Sequence, residues 1–295
     1  MGNWKDKLAP DEMRKLDDLA DERVNAFVAE AIDLCGPETV FVCTDSAEDL
    51  ARVRTMAVEA GEERALSIEG HTCHFDGPSD QGRDKANTKY LVPEGASLGR
   101  ALNSVEREKG LAEVKGYLRG AMAGKTMIVR FLCLAPTGSD FAIPALQITD
   151  SWYVAHSESL LYREGYEELR RRKGEGPLFR FLHSAGALEG GVSRDVEKRR
   201  VYIDIAEDVV YSTNTQYGGN TMGLKKLALR LSIRKAAREG WLAEHMFVMG
   251  SHGPGGRVTY LLGAFPSACG KTSTAMLPGE TIVGDDIAFL RVKDG

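Results

Sequence analysis

The segment Gly263-Ala264-Phe265-Pro266-Ser267-Ala268-Cys269-Gly270-Lys271-Thr272 follows an apolar run and precedes residues able to start a helix. Backbone N–H groups in such a turn surround a phosphate, the lysine adds a compact positive charge, and the threonine hydroxyl reaches a divalent metal. The natural guest is a nucleoside triphosphate. The spacing departs from the usual loop, because six residues separate Gly263 from Gly270 and Phe265 stands where the first glycine belongs. Taken alone, the segment also reads as an ordinary Gly-Lys turn at a helix start. Its neighbour Thr281-Ile282-Val283-Gly284-Asp285-Asp286 favours the phosphate reading, since a strand ending in carboxylates places Mg²⁺ or Mn²⁺ against phosphate oxygens.

Upstream, Tyr217-Gly218-Gly219-Asn220-Thr221-Met222-Gly223-Leu224-Lys225-Lys226 sets glycines where backbone approaches something closely, then delivers two lysines into a helix. A flexible turn before a solvated helix end is the plainer alternative. In Glu239 to Met246, EGWLAEHM, His245 lies beside an apolar strand, where a lone histidine is commonly structural. His71, Cys73 and His74 lack the second ligand pair that a zinc site needs, and are read as structural. Nothing resembles a Ser/His/Asp or Cys/His nucleophile arrangement.

The elements that must position these groups alternate. Val24, Phe27, Val28, Ala31 and Cys35 recur at helical spacing behind Asp21, and Gly36-Pro37 ends the pattern. Thr39 to Cys43 then reads as a strand, followed through Thr44-Asp45-Ser46 by a helix ending at Gly61. Strands are expected over Lys125 to Leu134 and Leu146 to Val154, and a helix from Met222 to Glu239 closed by Gly240. Beyond it come strands at His245 to Met249 and Val258 to Leu262, a short helix from near Lys271, and a strand ending at Gly284. The basic runs Arg170 to Lys173 and Lys198 to Arg200 are interrupted by acids and read as solvated surface. The expected class is α/β, a mixed-sheet N-terminal domain (1–240) followed by the start of a P-loop-containing nucleotide-binding domain (241–295).

With 295 residues, 43% hydrophobic, the chain buries a real core, and 38 basic against 43 acidic residues leave a net charge of −5. That balance argues against nucleic acid as a partner, so any phosphate site is local. The five cysteines form no CxxC pair, and the first residues lack the apolar core of a signal peptide. A reducing, cytoplasmic setting without membrane partners is expected.

At YGGN with Lys225-Lys226, EGWLAEHM, AFPSACGKT and VGDDIA, in that order, the chain resembles the GTP-dependent phosphoenolpyruvate carboxykinase family. GKTMIV at Gly124, ITDSWYVAHS at Ile148 to Ser157, and Leu182-His183-Ser184 add weaker similarity. Family members are about twice as long, so the likeness is to their N-terminal half, and poor turnover is expected of this chain by itself. The resemblance implies decarboxylation of oxaloacetate and phosphoryl transfer from GTP, giving phosphoenolpyruvate, CO₂ and GDP. It makes Lys226, His245 and Asp286 the ligands of a catalytic Mn²⁺. Ser267, Ala268, Cys269, Gly270, Lys271 and Thr272 become the nucleotide loop, with Thr272 on an accompanying Mg²⁺. Arg83, Tyr217, Gly218, Gly219, Asn220 and Ser267 fall to the substrate, while Cys269, Lys271 and Arg83 belong to the catalytic centre. A different P-loop kinase or ATPase, and a non-catalytic phosphate- or metal-binding module, are the competing readings. Oligomeric state and base specificity are not written in the residues present.

Overall fold

Thr39–Cys43 (β1) and Thr126–Leu134 (β4), both β-branched and aromatic, are parallel neighbours in the computed structural model, with Thr39 opposite Thr126. The structure describes residues 4–75, 77, 84–160, 162–216, 221–266 and 269–293, with backbone only at 221–227. It divides into two compact units, Met1–Lys225 and Lys226–Gly295.

The first unit is built on a nine-stranded mixed sheet. Besides β1 and β4 it contains Thr88–Val92 (β2), Ser104–Glu106 (β3), Ile143–Thr149 (β5), Arg163–Glu164 (β6), Phe179–Ser184 (β7), Arg200–Asp204 (β8) and Val209–Thr213 (β9), and the same unit includes the helices Pro10–Asp17 (α1), Arg107–Leu118 (α4) and Tyr166–Arg172 (α6). The strand order is β1-β4-β5-β7-β9-β8-β2-β3, with β6 on the far part of β4. β5, β7 and β9 run parallel, so their carboxyl ends, Thr149, Ser184 and Thr213, share one rim.

Side chains alternate across β4 as a pleated strand requires. Met127, Val129 and Phe131 join the core with Val24, Phe27, Val28 and Ala31 of the helix Glu22–Cys35 (α2). Ile128 instead packs with Phe41, Val53, Ala57, Trp152 and Ala155, from β1, Ala47–Glu59 (α3) and Trp152–Ser159 (α5). Both faces of the sheet are thereby covered, which explains the nearly unbroken apolar runs of β4 and β5. Asp21 caps α2 by accepting from the Arg23 N–H, and Gly36 ends it at φ 60°, in the left-handed region where glycine carries no Cβ penalty.

Two boundaries differ from those the sequence suggests. The expected strand from Leu146 to Val154 is β5, ending at Thr149, and Ser151 then caps α5. Glu62 forces the change: its carboxylate accepts from the Ser151 hydroxyl at 2.5 Å and from the Trp152 and Tyr153 N–H groups, satisfying donors that a helix start leaves open. The strand expected from His245 instead runs Phe247–His252 (β11), preceded by a separate strand Leu242–Glu244 (β10). Arg199 is also a correction, since it is 4% exposed rather than solvated. The other basic run is tied down by Arg170–Glu167, Arg171–Glu168 and Arg172–Glu168 pairs.

Most of the helix Thr221–Glu239 (α7) belongs to the second unit, and Gly240 at φ 73° ends it. Val258–Gly263 (β12), β11 and Thr281–Gly284 (β13) make an antiparallel sheet, and β10 pairs with Ala288–Leu290 (β14). The short helix Lys271–Ala275 (α8) places Ala275 against Phe247 and Met249. Gly263 permits the close crossing there, because a Cβ at that position would sit 2.1 Å from the Phe247 ring. No helix among the described residues is long and apolar enough to cross a membrane.

Candidate active site

The β10–β14 ladder explains how His245 and Asp286 meet. Glu244 pairs with Ala288, so the residue after β10 and the residue two before β14 arrive at the same end of the ladder. At the opposite end of the ladder, Trp241 packs edge-on against Phe289 with ring centroids 5.2 Å apart. His245 Nε2 lies 2.6 Å from Asp286 Oδ1.

The same carboxylate oxygen takes a second partner. Lys271 Nζ donates to Asp286 Oδ1 at 2.5 Å and to the Asp285 carbonyl at 3.0 Å. Lys271 follows Gly270, whose φ of 86° turns the chain into α8. The Lys271 and Asp286 side chains are 10% and 18% exposed, so solvent screens their attraction less than it would on an open surface. His245 reaches solvent more freely.

An imidazole nitrogen and a carboxylate oxygen at hydrogen-bond distance are a donor pair that suits a borderline-hard divalent ion. Among the described residues no group of three or more His, Cys, Asp or Glu side chains could hold a metal, so a third protein donor here is of another type or lies outside them. A neutral lysine amine is such a donor, and Lys226 stands in the first turns of α7, its side chain outside the described residues. The His245–Asp286 pair thus fits two of the three ligands that the sequence resemblance implies.

Other sequence-selected residues fall as follows. Cys269 is exposed, and its N–H donates to the Pro266 carbonyl. Cys35, Cys43 and Cys133 are buried, and burial pushes their thiols up, to about 12 for Cys35 and about 11 for the other two. Thr272 lies exposed in the first turn of α8. Arg83, Tyr217, Gly218, Gly219, Asn220, Ser267 and Ala268 lie outside the described residues. Next to them, Asp84 accepts from the Asn87 N–H and side-chain amide, and Gln216 donates to the Gly191 carbonyl. His74 stacks on Tyr153 with centroids 3.5 Å apart.

Sequence reasoning passed over a polar cluster at the carboxyl rim of β5, β7 and β9. Asp150, 8% exposed, accepts from Lys125 at 2.6 Å, from the Ser184 hydroxyl at 2.7 Å and from the Ala185 N–H. Beside it His183 is also buried. ITDS and LHS each carried a faint signal, but nothing in either motif announces the other as its partner.

A mixed-sheet unit followed by a unit with a Gly-Lys loop beside a His–Asp pair defines a protein with a P-loop nucleotide-binding part. The family model for the phosphoenolpyruvate carboxykinase N-terminal domain matches residues 26–237, and that for the phosphoenolpyruvate carboxykinase C-terminal P-loop domain matches residues 241–295. The chain belongs to the GTP-dependent phosphoenolpyruvate carboxykinase family. It is 53% identical over 287 residues to the phosphoenolpyruvate carboxykinase (GTP) of Thermococcus sibiricus, covering 97% of this chain and 46% of that protein. The like-named proteins of Pyrococcus horikoshii and Pyrococcus abyssi are 52% and 53% identical over 296 and 289 residues, covering 100% and 98% of this chain and 48% and 47% of theirs. The chain spans about half the length of the curated relatives it matches.

Proposed function

We propose that this chain provides the substrate-holding and the metal- and phosphate-holding residues of a GTP-dependent phosphoenolpyruvate carboxykinase. The activity makes phosphoenolpyruvate, CO₂ and GDP from oxaloacetate and GTP in the cytoplasm. The domain division at residue 240 goes with this reading, as do Mn²⁺ and a nucleotide-bound Mg²⁺.

The observation that carries it is the convergence of His245 Nε2 and Lys271 Nζ on one oxygen of Asp286. His245 and Asp286, with Lys226 as a neutral amine, would hold Mn²⁺. When bound there, that ion supplies positive charge for an oxygen that becomes negative as oxaloacetate loses CO₂. Arg83 presents a guanidinium fork to a substrate carboxylate, while Tyr217 offers a ring edge and Gly218, Gly219 and Asn220 bring main chain close to it. Lys271 leaves Asp286 for the nucleotide phosphates and offsets the charge of the transferring phosphoryl group. Ser267 to Gly270 contribute loop N–H groups and Thr272 a hydroxyl to the nucleotide-bound metal. No step needs a protein nucleophile, so Cys269 is a reactive neighbour rather than an attacking group.

Titrating the 295-residue chain with Mn²⁺ by electron paramagnetic resonance tests this reading. Asp286→Asn and Lys226→Ala are each expected to weaken Mn²⁺ binding by about tenfold or more, the scale of losing one ligand contact. Wild-type affinity in Asp286→Asn would overturn the assignment.

A further inference from the structure

His183, at the end of β7, is 1% exposed and uses both ring nitrogens. Its Nε2 lies 2.6 Å from the Thr215 carbonyl, which only accepts, so Nε2 carries the proton. Nδ1 is then the acceptor for the Thr149 hydroxyl at 2.8 Å, and that hydroxyl oxygen accepts in turn from the Ser151 N–H at 3.1 Å. Each bond in this chain has one donor and one acceptor, running from the α5 cap through β5 and β7 to the residue beyond β9. Burial keeps the ring below the ordinary imidazole range, which preserves the single tautomer this direction requires.

The position of the acceptor matters more than its existence. The β7–β9 ladder ends at Ser184 and Thr213, and Asn214 still donates to the Ser184 carbonyl. Thr215 lies past the ladder, two residues before Tyr217. A well-packed leucine would fill this fully buried spot without the cost of desolvating an imidazole. A ring with a donor and an acceptor on opposite sides instead fixes the Thr215 peptide relative to β5.

We infer that His183 is a positioning residue, which by holding the Thr215 carbonyl sets the point from which the chain enters Tyr217-Gly218-Gly219-Asn220. This rests on the proposed function, in which those four residues serve the substrate carboxylate.

The test compares His183→Gln with His183→Asn in the 295-residue chain. Glutamine extends its amide N–H to about where Nε2 sits, whereas asparagine reaches only the Nδ1 position and loses Thr215. Phosphoenolpyruvate binding in the presence of Mn²⁺ is followed by calorimetry, Mn²⁺ binding alone by electron paramagnetic resonance, and amide hydrogen exchange by mass spectrometry. The expected result is about tenfold weaker phosphoenolpyruvate binding in His183→Asn with Mn²⁺ affinity unchanged, and near-wild-type binding in His183→Gln. Exchange should quicken over 215–221 in the asparagine variant alone. Unchanged phosphoenolpyruvate binding in His183→Asn, or equal losses in both variants that follow melting temperature, would overturn the inference. If the asparagine variant does not fold, Thr149→Val replaces it: it releases Nδ1, and undiminished phosphoenolpyruvate binding there overturns the inference equally. If the wild type binds no phosphoenolpyruvate, the proposed function fails. The exchange comparison then decides the positioning role alone, with local quickening supporting it and uniform or absent quickening sinking it.

Discussion

Glu158 shows what a single side chain contributes when burial dominates its surroundings. It is wholly buried in α5, neither carboxylate oxygen has a hydrogen-bond partner among the described residues, and the Tyr162 hydroxyl is in the same condition. Desolvation pushes the Glu158 carboxyl well above its ordinary 4.5, and the charge of Arg130 offsets only part of that. A carboxyl with a raised folded pKa stabilises the fold below its unfolded value and loses that contribution as pH climbs towards the folded one. Glu158→Gln keeps the shape and removes the titration. It should therefore melt higher than the wild type at about pH 8 and lose that advantage near about pH 4, as read from melting curves across the range. Equal pH profiles for the two proteins would refute this. His245, Lys271 and Asp286 were legible as residues because each stands in a motif with fixed spacing. His183 was not, since its partner at Thr215 is a backbone carbonyl, and a carbonyl has no residue type to read.

At the level of elements, most boundaries follow from capping and alternation. Asp21, Ser46 and Gly36 mark α2 and α3 where the sequence places them, and Gly240 ends α7 as expected. The two displaced boundaries have a common cause in distant partners. The run from Leu146 to Val154 is apolar enough to continue as a strand, and Glu62, which turns it into a helix, is 89 residues from Ser151. β11 extends to Ser251 and His252 because Thr259 and Val258 pair with them, which a polar tail does not advertise. Removing the Ser151 hydroxyl isolates this effect. Ser151→Ala should cost about 1 kcal/mol in urea denaturation, the usual scale of an N-cap, and Glu62 should bear on stability through the same bond. If Ser151→Ala unfolds at the wild-type midpoint, the cap does not hold the α5 start.

For the whole molecule, the two units differ in how fully they bury apolar surface. The sheet of Met1–Lys225 is covered on both faces, whereas in Lys226–Gly295 Tyr260, Leu262, Ile282 and Val283 are 65%, 47%, 49% and 54% exposed. Both outer strands of the three-stranded sheet, β12 and β13, carry such residues, and apolar sheet edges invite association. The chain is expected to bind a hydrophobic dye such as anilinonaphthalene sulfonate in its native state, and Leu262→Lys should reduce that fluorescence while leaving Mn²⁺ binding intact. Dye binding that ignores this substitution would place the exposed surface elsewhere. The sequence showed the strands but not their exposure, because an apolar strand reads alike whether or not anything covers it.

The contact between Lys271 and Asp286 has a selective consequence. An anion entering the Gly270 turn must draw the ammonium from a carboxylate 2.5 Å away. A singly charged visitor offers the lysine no more than it already has, so the exchange gains nothing. On the proposed function, a polyphosphate would bring several negative oxygens and tip the balance, which would make the turn a filter for charge number ahead of any fit to shape.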